Sequence, residues 1–415
     1  MVSKTLLLLL LTASLLLPGC GSSPAAALPS SPAGTPSAAS LQKISDQGWA
    51  QISKGRADFR GSLVLHIESL AGSYTVSSGD AIHDPDNVKT RMASNTKNFT
   101  ACAIMLLEQE GRLKIDDSID RYLPQTPEYQ IPNRKEITIR QLLGHRGGVF
   151  DLTNAPVPAG LAQPYAGQRY FEYLYALPGN AEHTVSFDEM FGVIATNRLS
   201  LSEPGLRYQY SNGGYSLLAK IVEQVSGLPY HEFLQQRFFA PHGFSHTSLP
   251  HLGSDQTPQA PFLRGYAYVA PPDGSVDITR TNPSGQVGAG NLVSSAHELA
   301  QWYRLLFTGG LGLSRTTVAR MMDTLPNDQI SRFYGLGVVY TPGLGYGHDG
   351  TLPGAVSTCR YDPDSGTVVV IYSNTLDTTD MAGEVFGLYD IAAEAKGLME
   401  GRHIDNSEFR SGYHP

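Results

Sequence analysis

The sequence predicts a chain of the α/β class, α+β in type. One antiparallel sheet is built from both chain ends and flanked by helices. A largely helical lobe is inserted between them, and the active site is expected between the lobes. Three observations carry this. Residues 61–68 and 72–78 (GSLVLHIE and GSYTVSS) read as two strands around a tight turn. Strand-like runs return near the other end, at 335–340, 355–361 and 367–373. Between them, over roughly 115–290, Pro and Gly alternate with helical stretches.

Taken in order, the chain opens with Lys4 and the apolar run Thr5–Leu17, too short for a membrane-spanning helix, which needs about 20 apolar residues. Residues 1–19 read as a signal peptide. Leu17-Pro18-Gly19-Cys20 resembles a bacterial lipobox, so Cys20 is expected to carry a lipid that attaches the chain to a membrane. The localisation expected is an exported lipoprotein of the cell envelope. Gly21 after the cysteine favours the outer membrane where two membranes exist. Residues 20–42, mostly Ser, Pro, Ala and Gly, read as a flexible tether. Residues 43–400 form the catalytic unit, with 401–415 as a tail.

Within that unit a helix follows Ser94, apolar all round from Phe99 to Leu107 apart from Thr100, and stopped at Gly111. A second covers about 213–226, stopped by Gly227 and Pro229. A third opens at Ser295 with Glu298 three residues on, a capping-box pattern. Asp362-Pro363-Asp364-Ser365-Gly366 is a turn between the last two strands, and a final helix fills about 381–398. Of three cysteines, Cys102 and Cys359 lie in apolar stretches and read as small buried hydrophobes.

Charged residues make up 16%, against about 25% in typical globular chains. Lys and Arg number 30 against 38 Asp and Glu. That balance argues against nucleic acid as a partner. No cofactor or metal is expected. His242, His246 and His251 lie in loop-like sequence without a helical ligand register. Asp116, Asp117 and Asp120 read as a solvated face and a helix start.

The chemistry concentrates in three short motifs. Ser94-Asn95-Thr96-Lys97 is an S-x-x-K at a helix start. There residues three apart share a face, and the free N–H groups of the first turn favour negative charge. A serine needs such help as a nucleophile, and a desolvated lysine can act as its base. Ser40-Leu41-Gln42-Lys43 repeats the letters with no apolar helix behind it and reads as chance. Tyr210-Ser211-Asn212 precedes the 213–226 helix. Its phenol can relay a proton and its amide can orient a carbonyl. Tyr372-Ser373-Asn374 ends an apolar strand and reads as sheet wall. His348-Asp349-Gly350-Thr351 follows two glycines that permit close backbone approach.

In this order the motifs resemble the serine β-lactamase and D-alanyl-D-alanine carboxypeptidase superfamily, on its class C, penicillin-binding-protein and esterase side. Leu113–Asp117, Arg121–Pro124, Ile137–His145 and Gly288–Leu292 look like further family landmarks. The Tyr-Ser-Asn form argues against the class A type, which has Ser-Asp-Asn. The resemblance implies a serine hydrolase acylated on Ser94, with Lys97 and Tyr210 sharing the acid and base roles. It implies that Asn212 holds the substrate carbonyl and that His348 helps protonate the leaving group. Gly350 and Thr351 then belong to the substrate site, and the Ser94 and Thr351 N–H groups form the oxyanion hole. Substrates implied are small amides or esters: a β-lactam, a peptidoglycan-derived D-amino-acid peptide, or a small ester.

One position departs. The family's third motif carries a hydroxyl that binds a substrate carboxylate, and here that position is Asp349. An ionised Asp about 5 Å from a carboxylate costs about 3 kcal/mol at an effective dielectric near 20. D-aminopeptidase or carboxylesterase activity with little β-lactamase activity is therefore the alternative, unless Asp349 points away from the cleft or pairs with Arg360. A catalytically inactive envelope protein that binds penicillin is the non-enzyme alternative. An α/β-hydrolase is disfavoured because no G-x-S-x-G occurs.

Overall fold

The computed structural model describes residues 36–54, 59–269, 274–327 and 333–407. Cys20, the signal segment 1–19, the tether up to residue 35 and the last eight residues lie outside the described residues.

The strands of the main sheet and of the pair beside it are β1 (Ser62–Ser69), β2 (Gly72–Gly79), β3 (Lys89–Ala93), β4 (Leu292–Ser295), β5 (Leu325–Pro326), β6 (Phe333–Tyr334), β7 (Val339–Thr341), β8 (Gly345–Leu352), β9 (Ala355–Tyr361) and β10 (Val368–Ser373); Tyr266–Tyr268, Ser275–Asp277 and Thr375–Asp377 form a further small sheet. Eight of them form one antiparallel sheet in the order β2-β1-β10-β9-β8-β7-β6-β5. The first and last parts of the chain thus meet at β1–β10, with Leu63 opposite Ser373 and Glu68 opposite Val368. β3 and β4 pair separately and connect the sheet to the inserted lobe.

β1 reads as a nearly continuous apolar run because both of its faces are covered. Leu63, Leu65 and Ile67 pack towards helices α1 (Ala38–Ile52) and α5 (Met381–Glu400). Val64 and His66 point to the other face, against α4 (Ala296–Thr308). The larger core lies on that side. At its centre is α2 (Thr96–Gln109), buried from Thr96 through Leu107 and packed on α3 (Asn212–Ser226). Gly111 and Gly227 adopt φ of 71° and 76° just past α2 and α3, as stop signals should.

Four expectations change. Helix α1 begins inside the segment read as tether. Ser37 and Ser40 cap it reciprocally, and Leu41 is fully buried, so the 40–43 motif does lie on a helix with an apolar face. The 335–340 run is strand only from Val339. Gly337, at φ 73°, brings the chain onto α2, where a Cβ would lie 2.3 Å from that of Ala101. Residues 345–352, read as a glycine-rich approach, form an eight-residue strand. Ser295 caps α4 by accepting from the Glu298 N–H at 3.3 Å. The Glu298 carboxylate, instead of returning to the cap, accepts from the Ser245 and His246 N–H groups and the Thr247 hydroxyl.

Candidate active site

The sheet and the inserted lobe enclose a cleft of about 600 Å³ whose wall includes Ser94, Tyr210, Asn212, His348 and Thr351. Ser94 sits in the turn between β3 and α2. Ala93, just before it, has φ 47°, a left-handed conformation costing about 1–2 kcal/mol for a residue with a Cβ. Neighbouring hydrogen bonds hold this turn. Thr96 Oγ1 donates to the Ala93 carbonyl at 2.6 Å and accepts from the Leu292 N–H at 2.9 Å. Asn95 donates to Met92 O and to Ser357 Oγ and accepts from Tyr303 OH. Asn95 takes the cap position, and Ser94 stands one residue before it.

Lys97 lies in the first turn of α2, one turn beyond Ser94, and is fully buried. As an ammonium its Nζ donates to Ser94 Oγ at 3.0 Å, Asn212 Oδ1 at 2.7 Å and the Ala289 carbonyl at 2.7 Å; as an amine it keeps the latter two and accepts the Ser94 hydroxyl proton. All three acceptors are neutral. Desolvation therefore lowers its pKa from 10.5 to about 7, opposed only by the field of Asp151. The Tyr210 phenol is near enough to Ser94 to feel it, and its ring lies 4.7 Å from the lysine Nζ. Burial pushes its phenol well above the ordinary value, and the nearby Ser94 opposes that.

Asn212 opens α3. Ser211 caps this helix by accepting from the Gly214 N–H. Two residues with no recognisable motif hold this start. Asp151, buried, accepts the Asn212 N–H at 3.0 Å. His145, buried with φ 56°, accepts the Ser211 N–H on Nδ1 at 3.1 Å and stacks beneath Tyr210 at 4.1 Å. His145 lay in a stretch quoted only for family likeness, and nothing in its spacing marked it. The same holds for Ala289, whose carbonyl is Lys97's third acceptor.

The third motif lies along β8, close to β3. Gly350 is required there, because a Cβ would stand 2.2 Å from the Met92 carbonyl. His348 is buried, with Nδ1 2.6 Å from its neighbour's carbonyl, Asp349 O, and Nε2 2.9 Å from Tyr334 OH. The Nδ1–H donates, and Nε2 accepts the phenol proton. Burial and the nearby Lys97 hold its pKa down to about 3. In this arrangement His348 is neutral and both nitrogens are engaged, its one proton resting on the Asp349 carbonyl. Asp349 makes the pairing with Arg360 that the sequence left open. Its carboxylate accepts from Arg360 at 2.8 and 2.9 Å, from Thr358 at 2.8 Å and from Tyr389 at 2.6 Å. Burial opposes its ionisation, but Arg360 holds its pKa below the ordinary value, and Asp349 in turn raises that of Arg360. The charge is matched by Arg360 within the sheet, although the residue itself lines the cleft.

Cys102 and Cys359 are free, buried thiols whose pKa burial raises. His242 contacts the Phe238 and Gly310 carbonyls, His246 contacts Glu298, and His251 stacks on His231. These three do not converge. Asp116, Asp117 and Asp120 pair with Arg140, Arg121 and Arg134. Tyr372 is sheet wall, its hydroxyl donating to Val88 O.

Known proteins give the family and the fold. The family pattern described as Beta-lactamase matches residues 72–393. PbpX of Bacillus subtilis (strain 168), named as a penicillin-binding protein, is 27% identical over 285 residues, which span 68% of this chain and 61% of that one. A D-stereospecific amidohydrolase from Streptomyces sp. superposes with a TM-score of 0.68 at 25% identity, covering 82% of this chain and 95% of its own. The D-amino acid amidase from Ochrobactrum anthropi SV3 gives 0.71 at 23% identity, over 87% and 98%. The chain belongs to the Beta-lactamase family and has the fold of its serine hydrolases.

Proposed function

We propose that this family member is an amidohydrolase that forms an acyl-enzyme on Ser94 and cleaves amides or short peptides of D-amino acids, with small esters as secondary substrates. One observation carries the reading: a fully buried Lys97 with its Nζ 3.0 Å from Ser94 Oγ and no carboxylate in contact with it. Neutral Lys97 takes the hydroxyl proton as Ser94 Oγ attacks the carbonyl carbon. Asn212 steadies the substrate, and the Ser94 and Thr351 N–H groups receive the oxyanion, each such donor worth about 3–4 kcal/mol. Tyr210, still protonated, gives its proton to the leaving amine and regains one from Lys97. Water then cleaves the ester, and Ser94 recovers its proton.

The leaving-group side supports amides over penicillins. The hydroxyl that the resemblance implies for a substrate carboxylate is replaced by Asp349. That side chain is committed to Arg360 and also takes up the Thr358 hydroxyl. A substrate without a carboxylate there loses nothing. The likeness to two D-specific amide hydrolases supports the stereochemistry. The Tyr-Ser-Asn motif supports the class C-like branch, and the lipobox-like Cys20 supports a lipid-anchored envelope location, which palmitate labelling of wild type against Cys20→Ala tests.

The activity test uses purified protein with D- and L-alanine p-nitroanilide and a chromogenic cephalosporin. A fluorophosphonate probe is followed by intact mass. Expected are one adduct, lost in Ser94→Ala, and D-amide turnover at least about tenfold above the L-amide and the cephalosporin. A cephalosporin rate equal to the D-amide rate overturns the substrate assignment. Labelling that survives Ser94→Ala overturns the nucleophile.

A further inference from the structure

Away from the cleft, His66, Glu68 and His297 bring together a second set of polar groups. Alternation along β1 puts His66 and Glu68 on the face covered by α4, and His297 stands in the first turn of that helix. The His297 N–H donates to the Asp86 carbonyl at 3.2 Å, which fixes the helix start beside the strand. The His66 and His297 rings lie 6.1 Å apart at 83°, and the ligand atoms of His66, Glu68 and His297 all fall within 4.8 Å of one another.

The hydrogen bonds assign the protons. Thr75 donates its hydroxyl proton to Asp86. Its oxygen, 2.6 Å from His66 Nδ1, can then only accept, so Nδ1 carries a hydrogen. In neutral His66 the other nitrogen, Nε2, presents a lone pair. That lone pair faces the Glu68 Oε1 carboxylate oxygen at 3.1 Å. Two acceptors at this distance need a cation between them, a proton or a metal ion. Arg304 pairs with the other Glu68 oxygen and leaves Oε1 for that cation.

We propose that His66 Nε2, Glu68 Oε1 and His297 form a binding site for a divalent transition ion of borderline softness, zinc foremost. Two imidazoles and one carboxylate with an open fourth position are a common zinc set. The Asp86–Thr75–His66 chain supplies the partner that orients a metal-bound imidazole through its remote nitrogen. His297 is exposed, so its ring can close on the ion without disturbing the core. The ion would clip the β1–β2 edge to the helix that follows β4.

The test titrates zinc, and cobalt as a spectroscopic reporter, into chelator-treated protein bearing no affinity tag. Expected are one zinc per chain with a dissociation constant at or below about 1 μM, and visible bands of a four-coordinate cobalt centre. Expected too is a thermal midpoint that rises with zinc. His297→Ala, a surface change, weakens binding about 100-fold or more and abolishes the rise, and Glu68→Gln does the same. Binding that His297→Ala leaves unchanged overturns the site. So does an absence of binding at 100 μM zinc, which assigns the bridging cation as a proton on His66.

Discussion

Among the described residues two lysines are completely buried, Lys97 and Lys396, and they are surrounded in opposite ways. Lys396, on α5, lies 2.7 Å from Asp362 and 3.0 Å from Glu400, so two carboxylates match its charge. Lys97 touches a hydroxyl, an amide oxygen and a peptide carbonyl, and its pKa falls to about 7. Burial alone therefore does not make a reactive amine. Withholding the counter-ion does. The same side chain at the same exposure fastens a helix in one place and is poised to accept a proton in the other.

Exchanging each lysine for a methionine of similar length sharpens this contrast, and Lys97→Met has the larger effect. Losing a general base costs about 10²–10⁴ in rate, so Ser94 labelling by a fluorophosphonate should fall about 10³-fold. Stability should move the other way. With a folded pKa of about 7 against 10.5 in the unfolded chain, the unfolded state binds a proton that the folded state refuses. Folding is penalised as pH drops from 10.5 to 7, by about 5 kcal/mol in full. Methionine removes that penalty and forfeits hydrogen bonds worth about 1–3 kcal/mol. Urea unfolding at pH 7 should find Lys97→Met at least as stable as wild type, with the advantage fading by pH 10. A less stable variant at pH 7 would mean that Lys97 rests charged.

Lys396→Met should do the converse. Removing one partner of a buried ion pair leaves unmatched charge and costs about 3–5 kcal/mol. Arg402, 2.7 Å from Glu400, softens that loss. The expected outcome is a clear drop in urea midpoint with labelling of the folded fraction unchanged. Equal loss of labelling would break the distinction between the two sites.

How much of this could be read from the letters follows the same line. The strands at both chain ends, the helix after Ser94 and the 212–226 helix were legible because periodicity and stop signals are local. The three motifs were legible because residues at short spacing share a face. What decides their chemistry is not local. Asp349 carries a negative charge in sequence terms, but Arg360 across the hairpin and Tyr389 from α5 neutralise its reach. His348 was expected to help protonate a leaving group. Tyr334, from the short strand β6, occupies its one acceptor nitrogen. His145 and Asp151 act through backbone N–H groups 66 and 61 positions away, which no pattern of spacing signals. The two S-x-x-K copies show the same limit. Ser40 spends its hydroxyl on a helix cap, whereas Ser94 stands one residue before the cap position of its helix.

The smallest effect is the pH dependence, and it tests the neutral Lys97 directly. Among the groups around Ser94, His348 stays neutral above pH about 3 and Tyr210 stays protonated well beyond pH 10. Only Lys97 changes charge near neutrality, and its base form is the deprotonated one that prevails above about 7. The second-order rate of fluorophosphonate labelling, with a probe that has no titrating group, reports the free enzyme. It should be level above pH 8 and fall towards tenfold per pH unit below about 7. In Lys97→Met the residual rate should lose that step. A wild-type profile flat from pH 5.5 to 8.5 would remove Lys97 as the base and leave the low-dielectric pocket around it without a catalytic purpose.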